Sequence, residues 1–495
     1  MKSLLVKSLH KNTPMIKKGV PSLRTGEEYH IRLLLKKEFK HMKKNSCFSL
    51  IFVILFGIVT QAQSKKWTLD ECVKYALENN ISIKQSELDI QNAAIDKKSS
   101  LGKFLPSINA SASHSWNIGL NQDITTGLLQ NQTTQFTSAG ANVGIDIYKG
   151  LQNQNNLRRA NLALLASKYQ LVKMQEDIAL NVANAFLQVL FNKENLKVKQ
   201  EQLAINEKQY TRSSDLVDAG SIPRGDLLDI KANLALNHQN VVAAENALLI
   251  SKLSLAQLLQ LKEFESFDVI DGLQVTETSA ILALSPAAIV EKAKETRTDL
   301  KIAQTNLEIA QKNLAIAKGA YQPSLQAFYG FNSRVSYADT PSFSGTSVVA
   351  APPKPFWTQF SDNKGQSFGA QVSVPIFNGW TTKNNVARSK VNIAKSQIAL
   401  EQQNLDLQRI IYAAFTDAKG ALNANESAIS SLEARQEAYN YAKEKYAVGL
   451  MNSFDFNQAQ TLLVNAQSEV FRTKYDYIFK IKILEFYFGI PIIKN

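Results

Sequence analysis

Val143-Gly-Ile-Asp-Ile-Tyr-Lys-Gly150 returns 229 residues later as Val372-Ser-Val-Pro-Ile-Phe-Asn-Gly379. The same offset realigns residues 143–261 without a gap and pairs Gly220 with Gly449 and Asp226 with Asp455. Upstream, residues 68–116 realign with 285–333 at an offset of 217, pairing Thr68 with Ser285, Gly102 with Gly319, and Phe104-Leu-Pro-Ser107 with Tyr321-Gln-Pro-Ser324. The two offsets differ by 12 residues, so one copy carries a longer loop between residues 116 and 143. Gapless arms and one length-variable loop describe a single architecture built from two equivalent halves.

Downstream of Gly150, residues 151–218 hold Leu157, Leu164, Leu171, Ile178 and Ala185 at seven-residue spacing, followed by Val182, Val189, Leu196, Leu203, Tyr210 and Val217. The second half repeats the first stripe as Val386, Ile393, Leu400, Leu407 and Ala414, and the second more weakly as Ile411, Ala418, Asn425, Leu432, Tyr439 and Tyr446. Sustained heptads predict coiled-coil packing. Such a helix is about 100 Å long at 1.5 Å per residue. Shorter helical stretches, 81–104 and 223–261, bracket the first long helix and can stack end to end beside it. Thr68 with Glu71 reads as a capping box, and Ser285-Pro286 as an N-cap followed by proline at the first helical position.

Upstream of the same phrase the period changes to two. Ile108, Ala110, Ala112, His114, Trp116 and Ile118 share one face of residues 107–118, and Ser107, Asn109, Ser111, Ser113, Ser115 and Asn117 share the other. Ala139, Ala141, Val143, Ile145 and Ile147 form a second apolar face, with Asp146 opposite. Leu325, Ala327, Tyr329, Phe331, Val335 and Tyr337 form a third, with Gln326, Asn332 and Arg334 opposite; Phe368, Ala370, Val372, Val374 and Ile376 form a fourth. His114 is the misfit on its apolar face. Isolated hairpins are marginal in water. Four strands of about ten residues, apolar on one face, polar on the other and flanked by Phe104, Trp116, Phe377 and Trp380, instead fit a transmembrane barrel wall. A lipid-facing sheet must close, and known barrels need at least about eight strands, so one chain is too small. Two copies supply eight strands and little lumen, three supply about twelve and a pore, which favours a homotrimer.

The leader is separate. Lys43-Lys44 precedes the apolar run 48–59, and Thr60-Gln61-Ala62 supplies small residues for cleavage after Ala62, so residues 1–62 read as an N-terminal extension and secretory signal peptide. Met42 is an alternative start that leaves 1–41 untranslated. No later apolar run is longer, so no membrane-spanning helix is expected. Of the net +13, the leader contributes 12 basic and 3 acidic residues, which leaves +4 for the exported part and removes the basis for a nucleic-acid partner. Cys47 precedes the apolar run, which argues against an acyl anchor there, and Cys72 alone cannot form an intrachain disulfide.

After the leader only His114, His238 and Cys72 remain of the usual metal and nucleophile chemistry, and no glycine-rich phosphate loop occurs. The reading is therefore not an enzyme, with no cofactor and no metal. The sharpest motif is the turn joining each long helix to its return helix: Asp218-Ala-Gly-Ser-Ile-Pro-Arg-Gly-Asp226 and Ala447-Val-Gly-Leu-Met-Asn-Ser-Phe-Asp455. Glycine closes the first helix and aspartate opens the next near its positive dipole end. This describes a plain helical-hairpin turn, or a functional tip far from the strands.

With Trp67-Thr-Leu-Asp-Glu-Cys-Val-Lys-Tyr-Ala76, Leu105-Pro-Ser107, Gln322-Pro-Ser324, Val374-Pro-Ile-Phe-Asn-Gly379 and both tips in order, residues 66–489 resemble the outer-membrane efflux protein (TolC) family. The resemblance implies a mainly α protein with a membrane β part: duplicated helix–hairpin–helix halves form a long coiled-coil α-barrel in the periplasm. Four strands per chain build a twelve-stranded trimeric β-barrel in outer-membrane lipid. It implies passive exit for substrates handed over by an inner-membrane pump and a periplasmic adaptor. By position, Asp455 matches the first of two constriction aspartates, while Gln458 stands for the second. Tyr446 and Asp226 match a pair that ties the closed coils, so Tyr446→Phe with Asp226→Ala is expected to raise conductance. Met451 stands where an arginine is expected. Gly220, Ser221, Ile222, Gly449, Leu450 and Met451 correspond to adaptor-docking tips. The halves are expected at 66–261 and 285–489, with hairpins over 107–150 and 322–379, long helices over 151–218 and 380–447, tips at 218–226 and 447–455, and a linker over 262–284. A structural trimeric coiled-coil envelope stalk without a pore is the alternative.

Overall fold

The computed structural model describes residues 66–491 apart from 124–126, 263 and 272–279, and all of them fall in one compact unit. The leader, with its cleavage site, Met42 and Cys47, lies outside the described residues. The first half runs β1 (Lys66–Trp67), α1 (Leu69–Asn79), α2 (Ile81–Gly102), β2 (Ser107–Gln122), β3 (Leu129–Lys149), α3 (Gln152–Asp218) and α4 (Arg224–Leu259). After β4 (Asp268–Val269), the second half runs α5 (Pro286–Thr296), α6 (Thr298–Gly319), β5 (Ser324–Ser336), β6 (Thr340–Ser344), β7 (Ser347–Ala351), α7 (Phe356–Asp362), β8 (Gly365–Ser373), α8 (Thr381–Ala447) and α9 (Ser453–Phe488).

Local chemistry sets the element ends. Thr68 and Glu71 form a reciprocal capping box on α1, and Ser285 Oγ accepts from Ala288 N on α5. Each strand-to-helix corner takes two consecutive left-handed residues, Gly150 with Leu151 (φ 58° and 56°) and Gly379 with Trp380 (φ 61° and 66°). The non-glycine member of each costs about 1–2 kcal/mol. Gly150 is also a close approach: a Cβ there would lie 2.1 Å from the Gly319 carbonyl oxygen. At Gly102 and Gly379, their repeat counterparts, a Cβ would meet nothing within 4 Å.

α3 carries α2 and α4 on one half and receives α6 and α9 from the other; α8 packs against α6, α9 and α5. One core gathers Ile178, Val182, Phe186, Val189 and Leu190 of α3 with Cys72, Leu255, Leu259 and Val269; a second gathers Leu407, Ile411, Ala414 and Ala418 of α8 with Ile289, Leu300 and Leu484. Two heptad stripes have no cover: Ile81, Leu88 and Ile95 on α2, and Val391, Ile398, Leu405 and Tyr412 on α8. Their repeat counterparts, such as Thr298, Thr305 and Ala183, are buried between α3 and α6. Among the described residues α4 is the one helix long and apolar enough by composition to cross a membrane, with an 18-residue window of mean hydropathy 1.3. Its apolar residues are interspersed with small and polar ones around the helix. α4 lies along α3.

The sheet is antiparallel in the order β2-β3-β5-β8, which leaves β2 and β8 as edges. Its register puts the four apolar faces on one side: Ala112 opposes Ala139, Val143 opposes Tyr329, and Tyr329 opposes Phe368. The other side holds Ser111, Gly140, Asn332 and Gly365, and the register places Gly144, Gly330 and Gly369 there as well. Small residues suit the concave, crowded face of a curved sheet. Both faces of β2 are largely exposed. The strands are unequal, 16, 21, 13 and 9 residues, where about ten each was expected. β2 and β3 continue to Gln122 and Leu129, and there Leu120 and Leu129 share the apolar side with Gln122 and Asn131. β8 stops at Ser373, so Val374 and Ile376 lie beyond it; Pro375 lacks the N–H to extend the ladder.

His114 now has partners. Its Nδ1 lies 2.8 Å from Thr137 Oγ1, which lies 3.1 Å from the Tyr337 hydroxyl, and its ring packs edge-on to Trp116 at 4.3 Å. Opposite, on the polar face, the Arg334 guanidinium sits 3.8 Å over the Phe136 ring.

Candidate functional site

The tips are built by one device used twice. Gly220 (φ 69°) donates to Val217 O at 2.9 Å while Ser221 donates to Leu216 O at 2.8 Å; Gly449 (φ 78°) donates to Tyr446 O at 3.2 Å while Leu450 donates to Lys445 O at 2.8 Å. This double bond closes the last carbonyls of α3 and α8, and only glycine takes the required φ without strain.

Restarting the chain differs between copies. Pro223 precedes α4 without a side-chain cap, and Asp226 stands in the first turn. Asn452 caps α9: its Oδ1 accepts from Asp455 N at 2.8 Å and its Nδ2 donates to Asp455 Oδ2 at 2.9 Å. Asp455 is thereby fixed at the positive end of the helix dipole and remains exposed, as does Gln458 one turn on.

Between the tips lies a cleft of about 830 Å³. Ser221, Ile222 and Asp226 line it from the first half, and Tyr446, Gly449, Leu450 and Met451 from the second, with Lys208, Arg212 and Lys443 adding positive charge. The structure thus gathers Tyr446 and Asp226 into one space. No hydrogen bond joins them among the described residues; the Tyr446 ring instead stacks on Phe456, at 4.6 Å between centroids and 9° between planes. Tyr439 also meets Phe456, at 5.7 Å, and burial pushes its hydroxyl pKa up. Asp455 and Gln458 do not line the cleft, so the expected site residues fall into two groups. Sequence reasoning missed Phe456 and Asn452. The signal for Asn452 was present, an N-cap residue three before an acid; Phe456 had none, since its partner is ten residues away across a turn.

Among the described residues, no cluster of His, Cys, Asp and Glu could hold a metal ion.

A sequence model of the family "Outer membrane efflux protein" matches residues 72–260 and 289–481, one span per repeat. The chain is 24% identical over 371 residues to the cation efflux system protein CusC of Escherichia coli O157:H7, covering 74% of this chain and 72% of that protein. It is 21% identical over 435 residues to the outer membrane protein TolC of Escherichia coli K12, covering 87% and 83%. The fold matches the crystal structure of the Campylobacter jejuni CmeC outer membrane channel with a TM-score of 0.71 at 19% identity, over 85% of each chain. With the family model covering most of its length as two matched halves, the chain belongs to the outer membrane efflux protein family.

Proposed function

We propose that three copies of this chain close one wall and one tube, forming an outer-membrane channel that gives passive exit to substrates handed over by an inner-membrane pump through a periplasmic adaptor. One observation carries the closure: the junction between the halves has a duplicate that is vacant at both edges of the chain. Within the chain β3 pairs with β5, α3 packs on α6, and Gly150 touches Gly319. Moved by the two repeat offsets, that junction becomes β8 against β2, α8 against α2, and Gly379 against Gly102 of the next copy. Those surfaces are the open strand edges, the uncovered heptad stripes and the two glycines facing empty space. Each vacancy fits the other, so copies add head to tail, and a lipid-facing sheet requires that the series close into a ring.

Closure of four-stranded units leaves about eight strands for a dimer and about twelve for a trimer, and only the latter encloses a passage. The register keeps the sidedness: Val143↔Tyr329 becomes Val372↔Ala112 of the next copy, apolar side to apolar side. In this reading the apolar face meets lipid and the Ser, Asn, Gly face lines water. The cleft and the loop of exposed Leu450 and half-buried Met451 supply the docking end for the adaptor. Three Asp455 carboxylates, backed by Gln458, form the narrowest ring. Nothing in this arrangement requires catalysis.

The test follows from the register. Gly144↔Phe328 becomes Ser373↔Ser111 of the next copy. Oxidation of the Ser111→Cys, Ser373→Cys double variant is expected to give covalent trimers on a non-reducing gel, with neither single variant doing so. A double variant that stays monomeric while its in-chain equivalent, Gly144→Cys with Phe328→Cys, oxidises would sink the closure.

A further inference from the structure

β8 begins at Gly365, opposite Asn332, so residues 333–336 of β5 have no strand beside them on that edge. α7, which has no counterpart in the first half, occupies the place. Gln359 Oε1 accepts from Ser336 N at 3.0 Å, its Nε2 donates to Ser336 O at 2.9 Å and to Lys354 O at 2.7 Å, and Asn363 Nδ2 donates to Arg334 O at 2.7 Å. Two side-chain amides thus continue the ladder that β8 leaves unfinished, pairing Ser336 N, Ser336 O and Arg334 O.

The body of α7 lies on the apolar side. Phe360 brings its ring to 6.3 Å from Phe331, and its carbonyl accepts from Ser333 Oγ at 2.7 Å. Ser333 and Val335, 2% and 1% exposed, are the only buried residues of the four strands among those described. Phe356 stacks over Phe360, and Trp357 meets both rings edge-on, at 5.1 and 6.0 Å, while staying 76% exposed. Val335 opposes Thr137, which opposes His114, so α7 sits level with the His114, Trp116 and Tyr337 group on the same face. Lys354, just ahead of α7, pairs with Asp362 at its end at 2.9 Å, and both side chains are exposed.

We propose that α7 is an interfacial foot, with Trp357 as its anchor, seated on the headgroup boundary of the bilayer at the outer rim of the wall. The occupant is a lipid surface, because the apolar face on which α7 rests is continuous with the face read above as lipid-facing, and the inference rests on that reading. Depth follows from polarity. A single two-turn helix leaves the N–H groups of its first turn and the C=O groups of its last without helical partners, and these, with the Lys354–Asp362 pair, need water or headgroups. Trp is the side chain that prefers that boundary.

In a Cys47→Ser background, nitroxide labels on Trp357→Cys, Phe368→Cys and Ser111→Cys of the full chain in phosphatidylcholine bilayers test it, since the remaining native cysteine, Cys72, is buried and escapes labelling. The ratio of oxygen to nickel-chelate accessibility is expected to be high at 368, low at 111 and intermediate at 357. Adding Gln359→Ala should make the label at 357 markedly more mobile. A label at 357 as nickel-accessible as that at 111, with 368 still oxygen-favoured, overturns the foot and leaves the wall standing. A label at 357 shielded from both reagents overturns it in favour of burial against another copy. Nickel access at 368 removes the lipid-facing reading and the foot with it.

Discussion

Arg297 carries its guanidinium into the junction of the two halves, with Nη2 3.2 Å from a Glu176 carboxylate oxygen of α3. The same group lies 3.2 Å from Asp299 and 4.2 Å over the Phe486 ring of α9, and Arg297 is 5% exposed. One cation therefore joins α3, α6 and α9. Burial pushes the Glu176 carboxyl up despite Arg297, whereas Asp299, also raised by burial, is held below its usual value by the bonds from Lys173 and Arg297. The firmer partner of Arg297 is Asp299.

Removing that cation leaves Glu176 without a charge partner, whereas Asp299 keeps Lys173 at 2.8 Å. Arg297→Met is expected to cost about 3 kcal/mol of stability, the scale for breaking one side of a buried pair. Arg297→Lys should recover little, because an ammonium cannot both fork to two carboxylates and lie flat on Phe486. Adding Glu176→Gln to Arg297→Met should return part of the loss. Thermal unfolding followed by circular dichroism decides it, and a wild-type midpoint for Arg297→Met would refute the account.

Below the first core, Lys193 pairs with Asp271 and, at 3.2 Å, with Asp268; Lys66 also holds Asp271, and Lys252 holds Asp268 at 2.9 Å. This cluster ties β1 to β4. The Lys193 and Lys66 bonds lower Asp271 to about 2; for Asp268, burial raises the carboxyl but the Lys252 and Lys193 bonds outweigh it, so it too is lowered. Folded carboxylates with lowered pKa bind fewer protons than the unfolded chain, so their stabilisation is complete above the free value of about 3.9. It is lost as pH falls through the lowered values. The melting midpoint should drop between pH 4 and pH 2, and Asp268→Asn with Asp271→Asn should lower it at pH 7 and flatten that acid slope. An unchanged slope in the double variant would assign acid sensitivity elsewhere.

The legible parts were those written in periodicity. Heptads around Ile178 and Ile411 and the alternation around Ile108 and Val372 fixed helices and strand faces, because burial on one side repeats at a fixed spacing. α7 was invisible: Phe356-Trp-Thr-Gln-Phe-Ser-Asp362 is too short to show a helical period, and Gln359 acts through a strand 23 residues away. His114 looked like a misfit because its partner Thr137 is set by register, which alternation alone does not state. The Arg297 group was missed for the same reason, since Glu176 lies in the other half.

The proposed ring also predicts an ion pair between copies. Arg159 Nη1 donates to Asn313 Oδ1 at 3.4 Å across α3 and α6; the offsets turn this pair into Arg388 and Asp96 of the next copy. Asp96→Arg should then weaken the trimer against dissociation in detergent, and Arg388→Asp in the same chain should restore it, with a coupling of up to about 1 kcal/mol per interface for an exposed pair. Charge reversal without rescue would place the two side chains apart.

At the tips two readings predict different variants. If stacking on Phe456 holds the closed end, Tyr446→Phe preserves it and leaves single-channel behaviour unchanged, whereas Phe456→Ala forfeits a stacked pair worth about 1 kcal/mol and raises open probability roughly fivefold. If a Tyr446–Asp226 bond forms on assembly, Tyr446→Phe with Asp226→Ala opens the pore and Phe456→Ala does so less. The proposed ring of Asp455 is separable from both. Asp455→Asn retains an acceptor for the Asn452 amide and removes only charge, so the closed end should keep its conductance while the cation-to-anion permeability ratio falls. The fall should be largest in dilute salt, where the screening length is about 30 Å at 0.01 M against about 10 Å at 0.1 M. Reversal potentials in planar bilayers measure it, and a ratio unchanged at the lower salt would remove Asp455 from the constriction.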